Sequence, residues 1–148
     1  MVTQPQPESK PVHPLARFVT REALALHLKI QPEDIREIRC WRYVIHVVGK
    51  GVSTFVSYAD LPPILGVEPP TARDIGYWRK RWKKNEFNKA PEFWVEFYAQ
   101  KFRRALYVED LYAWGALVGA IAFGISQAAV QSLRSLYVQE RESCQLSF

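Results

Sequence analysis

The chain has 148 residues, of which 48 % are hydrophobic and 24 % charged, with a net charge of +5. That balance excludes a disordered chain and is enough to bury one sizeable core, or a small domain with an attached helical region. Two cysteines, Cys40 and Cys144, are too few for a disulfide framework and have no CxxC spacing, which is the usage of a reducing, cytoplasmic compartment.

Residues 1–19 open with MVTQPQPESKPVHP, a polar and proline-rich run without the apolar centre of a secretory signal, and are expected to form a flexible arm. Thr20 is the expected N-cap of a helix over 21–30, where Ala23, Leu24 and Leu28 recur at helical spacing; Pro32 should end it. Residues 35–48 read as one strand, with Ile38, Cys40, Val44, His46 and Val48 on one side and Trp41, Tyr43, Ile45 and Val47 on the other. Gly49, Lys50 and Gly51 make a short loop, and 52–58 return as the second strand. Residues 20–61 are thus predicted as a helix plus a β-hairpin.

Pro62, Pro63, Pro69 and Pro70 make 62–70 a proline-rich joint, since they exclude a regular helix or a central strand. Residues 71–141 are expected to be a helical region packed with the hairpin part, followed by a tail over 142–148. Thr71 opens TARD, in which the hydroxyl can cap the backbone and Asp74 favours the positive helix end, so a helix over 72–84 follows. A second helix should open near Pro91 and run to about Val108, with Trp94, Tyr98, Phe102 and Ala105/Leu106 on one face. The predicted fold class is α+β: a helix plus a β-hairpin, then a helical C-terminal region.

From Leu111 to Leu133 there is no charged residue, and Gly115 and Gly119 stand at the GxxxG spacing of membrane helix pairs. One reading makes 111–130 a membrane anchor with a cytoplasmic basic domain before it. The favoured reading begins a buried helix at Asp110, ends it near Gly124, and uses Ser126 to cap another helix carrying Val130, Leu133 and Tyr137. The apolar part before Ser126 has the length of a core helix.

Phosphate-loop, dinucleotide and hydrolase motifs are absent, and His13, His27 and His46 lie on three separate elements without metal-ligand spacing. Cys40 and His46 stand six apart in the predicted strand, about 20 Å if both lie along it, too far for a nucleophile and its base. No catalytic, cofactor-binding or metal residue is expected, and the chain is read as a non-enzyme.

The positive signal is charge. Residues 73–104 carry ten Lys/Arg against four Asp/Glu, whereas the rest of the chain carries ten against eleven. Within this segment Trp78 and Trp82 share one helical face, while Arg79, Lys80, Arg81, Lys83 and Lys84 cover the remainder, with Tyr77 beside them. In the plainer view both tryptophans are core and the cations solvate the helix. In the functional view the cations meet phosphates or acidic side chains and an aromatic adds contact area. Arg36, Arg39 and Arg42 form a weaker second stripe in the first strand.

The order GYWRKRW, APEFWVEFYAQKFRRA, DLYAWGALV and SLRSLY resembles that of a group of small uncharacterised cyanobacterial proteins over residues 20–140. The resemblance implies no activity. The function expected from the residues is a binding or assembly factor whose basic aromatic helix docks an acidic protein or nucleic acid. The alternative is a membrane-associated protein, anchored by 111–130, with its basic segment on an anionic membrane surface.

Overall fold

The computed structural model describes residues 13–85 and 87–146, with side chains as far as Cys144. It divides at the Leu61–Pro62 bond into two compact units.

In the first unit, a 3-10 turn at Pro14–Phe18 buries Leu15 and Phe18 completely, and His13 caps it by accepting the Leu15 N–H at its Nδ1. The flexible arm is thereby corrected at residues 13–19, because two large apolar side chains in this stretch reach the core; residues 1–12 lie outside the described residues. Helix α1 (Arg21–Leu28) starts as expected, with the Thr20 hydroxyl accepting the Ala23 N–H. Lys29 ends it before Pro32 does: its left-handed conformation (φ 61°) lets the Ile30 N–H reach back to the Ala25 carbonyl.

The predicted long strand is two strands. β1 (Ile35–Cys40) turns back at residues 41–44, closed by a 3.0 Å bond from the Trp41 N–H to the Val44 carbonyl, and β2 (Ile45–Gly49) runs antiparallel beside it. β3 (Val52–Val56) follows through Lys50 and Gly51, giving a three-stranded sheet in the order β1-β2-β3. Gly51 takes the positive φ (71°) that this tight reversal requires.

Folding back at 41–44 swaps the parity of the side chains. Ile38 and Cys40 oppose Val47 and Ile45, so they share a face with them and not with His46 and Val48. Alternation alone cannot register such a swap. The inner face, with Ile45, Val47 and Val56, packs with Ile35, Tyr58 and Leu61 in the core, and α1, which contributes Ala23, Leu24 and Ala25, lies against β1.

The second unit is helical. α2 (Ala72–Trp82) carries the expected capping box: Asp74 N–H donates to the Thr71 hydroxyl (3.2 Å) and Thr71 N–H to the Asp74 carboxylate (2.9 Å). α3 (Phe93–Arg104) ends before the predicted Val108. The chain turns extended at Ala105, exposing Leu106 and Tyr107, and α4 (Val108–Ile121) begins. A 3-10 turn at Ala122–Gly124 separates α4 from α5 (Gln127–Leu146), whose start is capped by the Ser126 hydroxyl accepting the Ala129 N–H. Much of the predicted tail therefore continues α5, through Leu146. α3, α4 and α5 pack on one another around Phe97, Tyr98, Phe102, Leu111, Ile121 and Leu133.

The uncharged stretch is thus two helices joined through 122–126, as the favoured reading expects, but the first begins at Val108 and is not the buried helix expected, since Tyr112, Ala113, Ala116, Gly119 and Ala120 are exposed; a continuous anchor over 111–130 is corrected. Among the described residues no helix is long and apolar enough to cross a membrane. Two of its glycines serve packing: Gly115 faces the Tyr137 ring and Gly124 the Trp82 ring, whereas Gly119 faces open space.

Candidate functional site: the basic end of helix α2

Helix α2 places its two tryptophans a little past its middle and at its end, and both turn inward. Trp78 and Trp82 are buried and meet Trp94 of α3 edge to face, at centroid separations of 5.8 and 5.7 Å. Such contacts add about 0.5–1.5 kcal/mol each beyond area burial, so these rings hold the helix and are not offered to a partner. With that face committed, Arg79 and Lys80, between the tryptophans, are turned outward.

Arg79, Lys80, Lys83 and Lys84 are exposed, and among the described residues none of the four makes an ion pair. Arg81 is half-buried and already engaged. Tyr77 is also half-buried: the Arg73 guanidinium lies 5.9 Å from its ring centroid and donates to its hydroxyl at 3.4 Å. Of the six residues singled out in the sequence, the fold brings Arg79 and Lys83 together. They line a surface cavity of about 390 Å³ with Trp82, Asn88 and Phe123; Lys80, Arg81, Lys84 and Tyr77 do not line it.

Phe123 and Asn88 are residues that sequence reasoning missed. Phe123, 40 % exposed, comes from the turn after α4 and carries the Arg79 guanidinium 4.9 Å above its ring centre. That stacking holds the cation without neutralising it. The loop after α2 is strapped to the same turn. Ala90 N–H donates to the Gly124 carbonyl (2.8 Å), the Lys89 ammonium to the Phe123 carbonyl (3.0 Å), and the Asn85 amide to the Lys89 carbonyl (2.7 Å). Asn88 takes a left-handed conformation (φ 57°) within that loop, one that asparagine tolerates better than most residues. The Trp82 indole Nε1–H is buried and has no acceptor among the described residues. The result is a preformed concave surface of two cations and an exposed aromatic ring.

Chemistry of other kinds finds less support. Cys40 and His46 are on neighbouring strands, so the expected 20 Å separation along one strand is corrected; pairing with Ile45 and Arg39 respectively puts them on opposite faces. Burial pushes the Cys40 thiol above its ordinary value, against a smaller opposing effect of its hydrogen bond with Tyr58, and burial likewise raises Tyr58. A raised thiol holds less of the nucleophilic thiolate. Among the described residues no three His, Cys, Asp or Glu side chains gather as a metal site. Comparison with protein-family models, curated proteins and solved structures finds no match to this chain.

Proposed function

We propose that the protein is a non-enzymatic binding or assembly factor, working in the cytoplasm, that docks an acidic partner on the basic end of α2. The observation that carries this reading is the cavity lined by Arg79, Lys83 and Phe123, where two cations that make no ion pair among the described residues stand beside an exposed ring. Lys80 and Lys84 extend the positive field beside it. Cations grouped this way draw in an anionic surface and lose that attraction as salt screens it.

The test is a salt series. Labelled poly-glutamate and labelled duplex DNA are titrated with the full chain, and with the Arg79→Gln/Lys83→Gln variant. Binding should weaken as salt rises, and for DNA the log–log slope should fall by about one for each cation that contacts a phosphate when both are removed. Binding of poly-glutamate alone assigns an acidic protein; steep salt dependence on DNA assigns phosphate contacts. The reading is wrong if neither polyanion binds at low salt, or if the double variant binds both like the parent chain.

A further inference from the structure

The face of the sheet opposite its core carries a second aromatic surface, in the other unit of the chain. Strand pairing sets Arg39, His46 and Phe55 in one row across β1, β2 and β3, because directly opposed residues share a face. Trp41, just past the end of β1, adds its indole to this row. Its ring centroid lies 5.1 Å from that of His46 and 5.5 Å from that of Phe55, and His46 and Phe55 are 5.0 Å apart. The three rings are tilted by 32–53° and are not stacked face to face. Trp41 is 43 % and Phe55 57 % exposed.

This cluster is also held in place. The Trp41 N–H is bound to the Val44 carbonyl, its own carbonyl accepts the Tyr58 hydroxyl, and the His46 Nε2 is hydrogen-bonded to the Ser53 hydroxyl at 3.2 Å. His46 keeps its Nδ1 shielded and without a hydrogen-bond partner among the described residues. Fixed, exposed rings lower the ordering cost of anything that stacks on them.

Charge narrows the occupant. Residues 35–58 hold Arg36, Arg39, Arg42 and Lys50 against Glu37 alone, whereas the remainder of the chain outside 73–104 holds six basic against ten acidic residues. Glu37 is held by Arg39 in a two-pronged pair (2.7 and 3.0 Å), so the patch presents no uncompensated carboxylate, while Arg36 and Arg42 are exposed near the two ends of β1. Flat rings flanked by cations match a polyanion that itself carries flat rings. An acidic peptide supplies the charge but brings flat rings only at scattered aromatic residues, whereas a single strand carries one with every phosphate, and a duplex hides its base faces within its own stack. We propose that this sheet face binds single-stranded nucleic acid, stacking unpaired bases on Trp41 and Phe55 and meeting the adjoining phosphates with Arg36 and Arg42.

The experiment uses the full chain and fluorescence anisotropy with a short labelled oligothymidylate at low salt, with a duplex of matched length and poly-glutamate as comparators. The single strand should bind more tightly than the duplex. Trp41→Leu and Phe55→Leu should each weaken it by about five- to a hundredfold, the range for losing one stacked base, and leave its salt slope unchanged. Trp41→Phe should retain most of the affinity, and Arg42→Gln should lower the salt slope by about one. Arg79→Gln/Lys83→Gln in the α2 site should leave the loss from Phe55→Leu unaltered, which separates failure of this proposal from failure of the helix site. Phe55 is exposed enough for its variant to decide the matter even where Trp41→Leu fails to fold. The proposal is overturned if the single strand does not bind, if folded Phe55→Leu binds it like the parent, or if ring removal weakens poly-glutamate equally. The last result would make the face a protein-docking surface.

Discussion

The indole ring of Trp82 fills the space that a side chain at residue 124 would need, so Gly124 is the point at which the turn after α4 closes on helix α2. This contact sets Phe123 beside Arg79 and Lys83 and thereby shapes the cavity of the candidate site.

Gly124→Ala should therefore destabilise the protein by about 1–3 kcal/mol, the usual cost of overpacking a filled core. Gly119→Ala is the control, because nothing lies within reach of its new methyl group. Placed in α4, that change should be neutral or stabilise by up to about 1 kcal/mol through helix propensity. Urea unfolding of both variants checks the pair, and equal effects would show that the Trp82 contact is not what requires glycine.

Tyr98 is completely buried and donates its hydroxyl proton to the Pro63 carbonyl at 2.7 Å. Burial raises its pKa well above the ordinary tyrosine value. In the unfolded chain it loses its proton near pH 10. Its contribution to stability is thus complete below that pH and declines as pH rises further, since only the unfolded state gains by ionising. Tyr98→Phe should cost about 1 kcal/mol at neutral pH, and the gap to the parent should narrow above about pH 10. A gap independent of pH in chemical unfolding would contradict this.

Thr71→Ala removes one half of the capping box at the start of α2 and should cost about 1 kcal/mol, whereas Thr71→Ser should retain most of the stability. Because α2 also presents Arg79 and Lys83, the weakened variant tests whether the site tolerates fraying of its own helix. The unfolding midpoint gives the first quantity and the poly-glutamate titration the second.

Cys40 should react slowly with a disulfide reagent at pH 8. Its thiol is half-buried, with its pKa raised chiefly by desolvation, so the thiolate fraction is below that of a small free thiol. In a Cys144→Ser chain the remaining thiol should react more slowly than that small thiol, and the rate should recover in denaturant. Equal rates before and after unfolding would show the thiol to be open.

Local signals determined much of this protein. The Thr20 and Thr71 caps, the proline-rich passage from the sheet to the helices, the cap at Ser126 and the α+β class all rest on interactions between residues close in the chain, and the structure contains them. The inward turn of Trp78 and Trp82 also follows from their spacing, once one face of the helix must be buried. Tertiary structure decided three other things. The reversal at residues 41–44 exchanges one set of side chains for the other across the sheet, and alternation reads the same whether a strand continues or folds back. Only cross-strand pairing brings Trp41, His46 and Phe55 into one cluster. Only the packing of the turn at Gly124 on Trp82 places Phe123 under Arg79, from more than forty residues away in the chain. Periodicity and caps express energies over a few residues; both candidate surfaces depend on long-range contacts, which steric fit selects after the elements have formed.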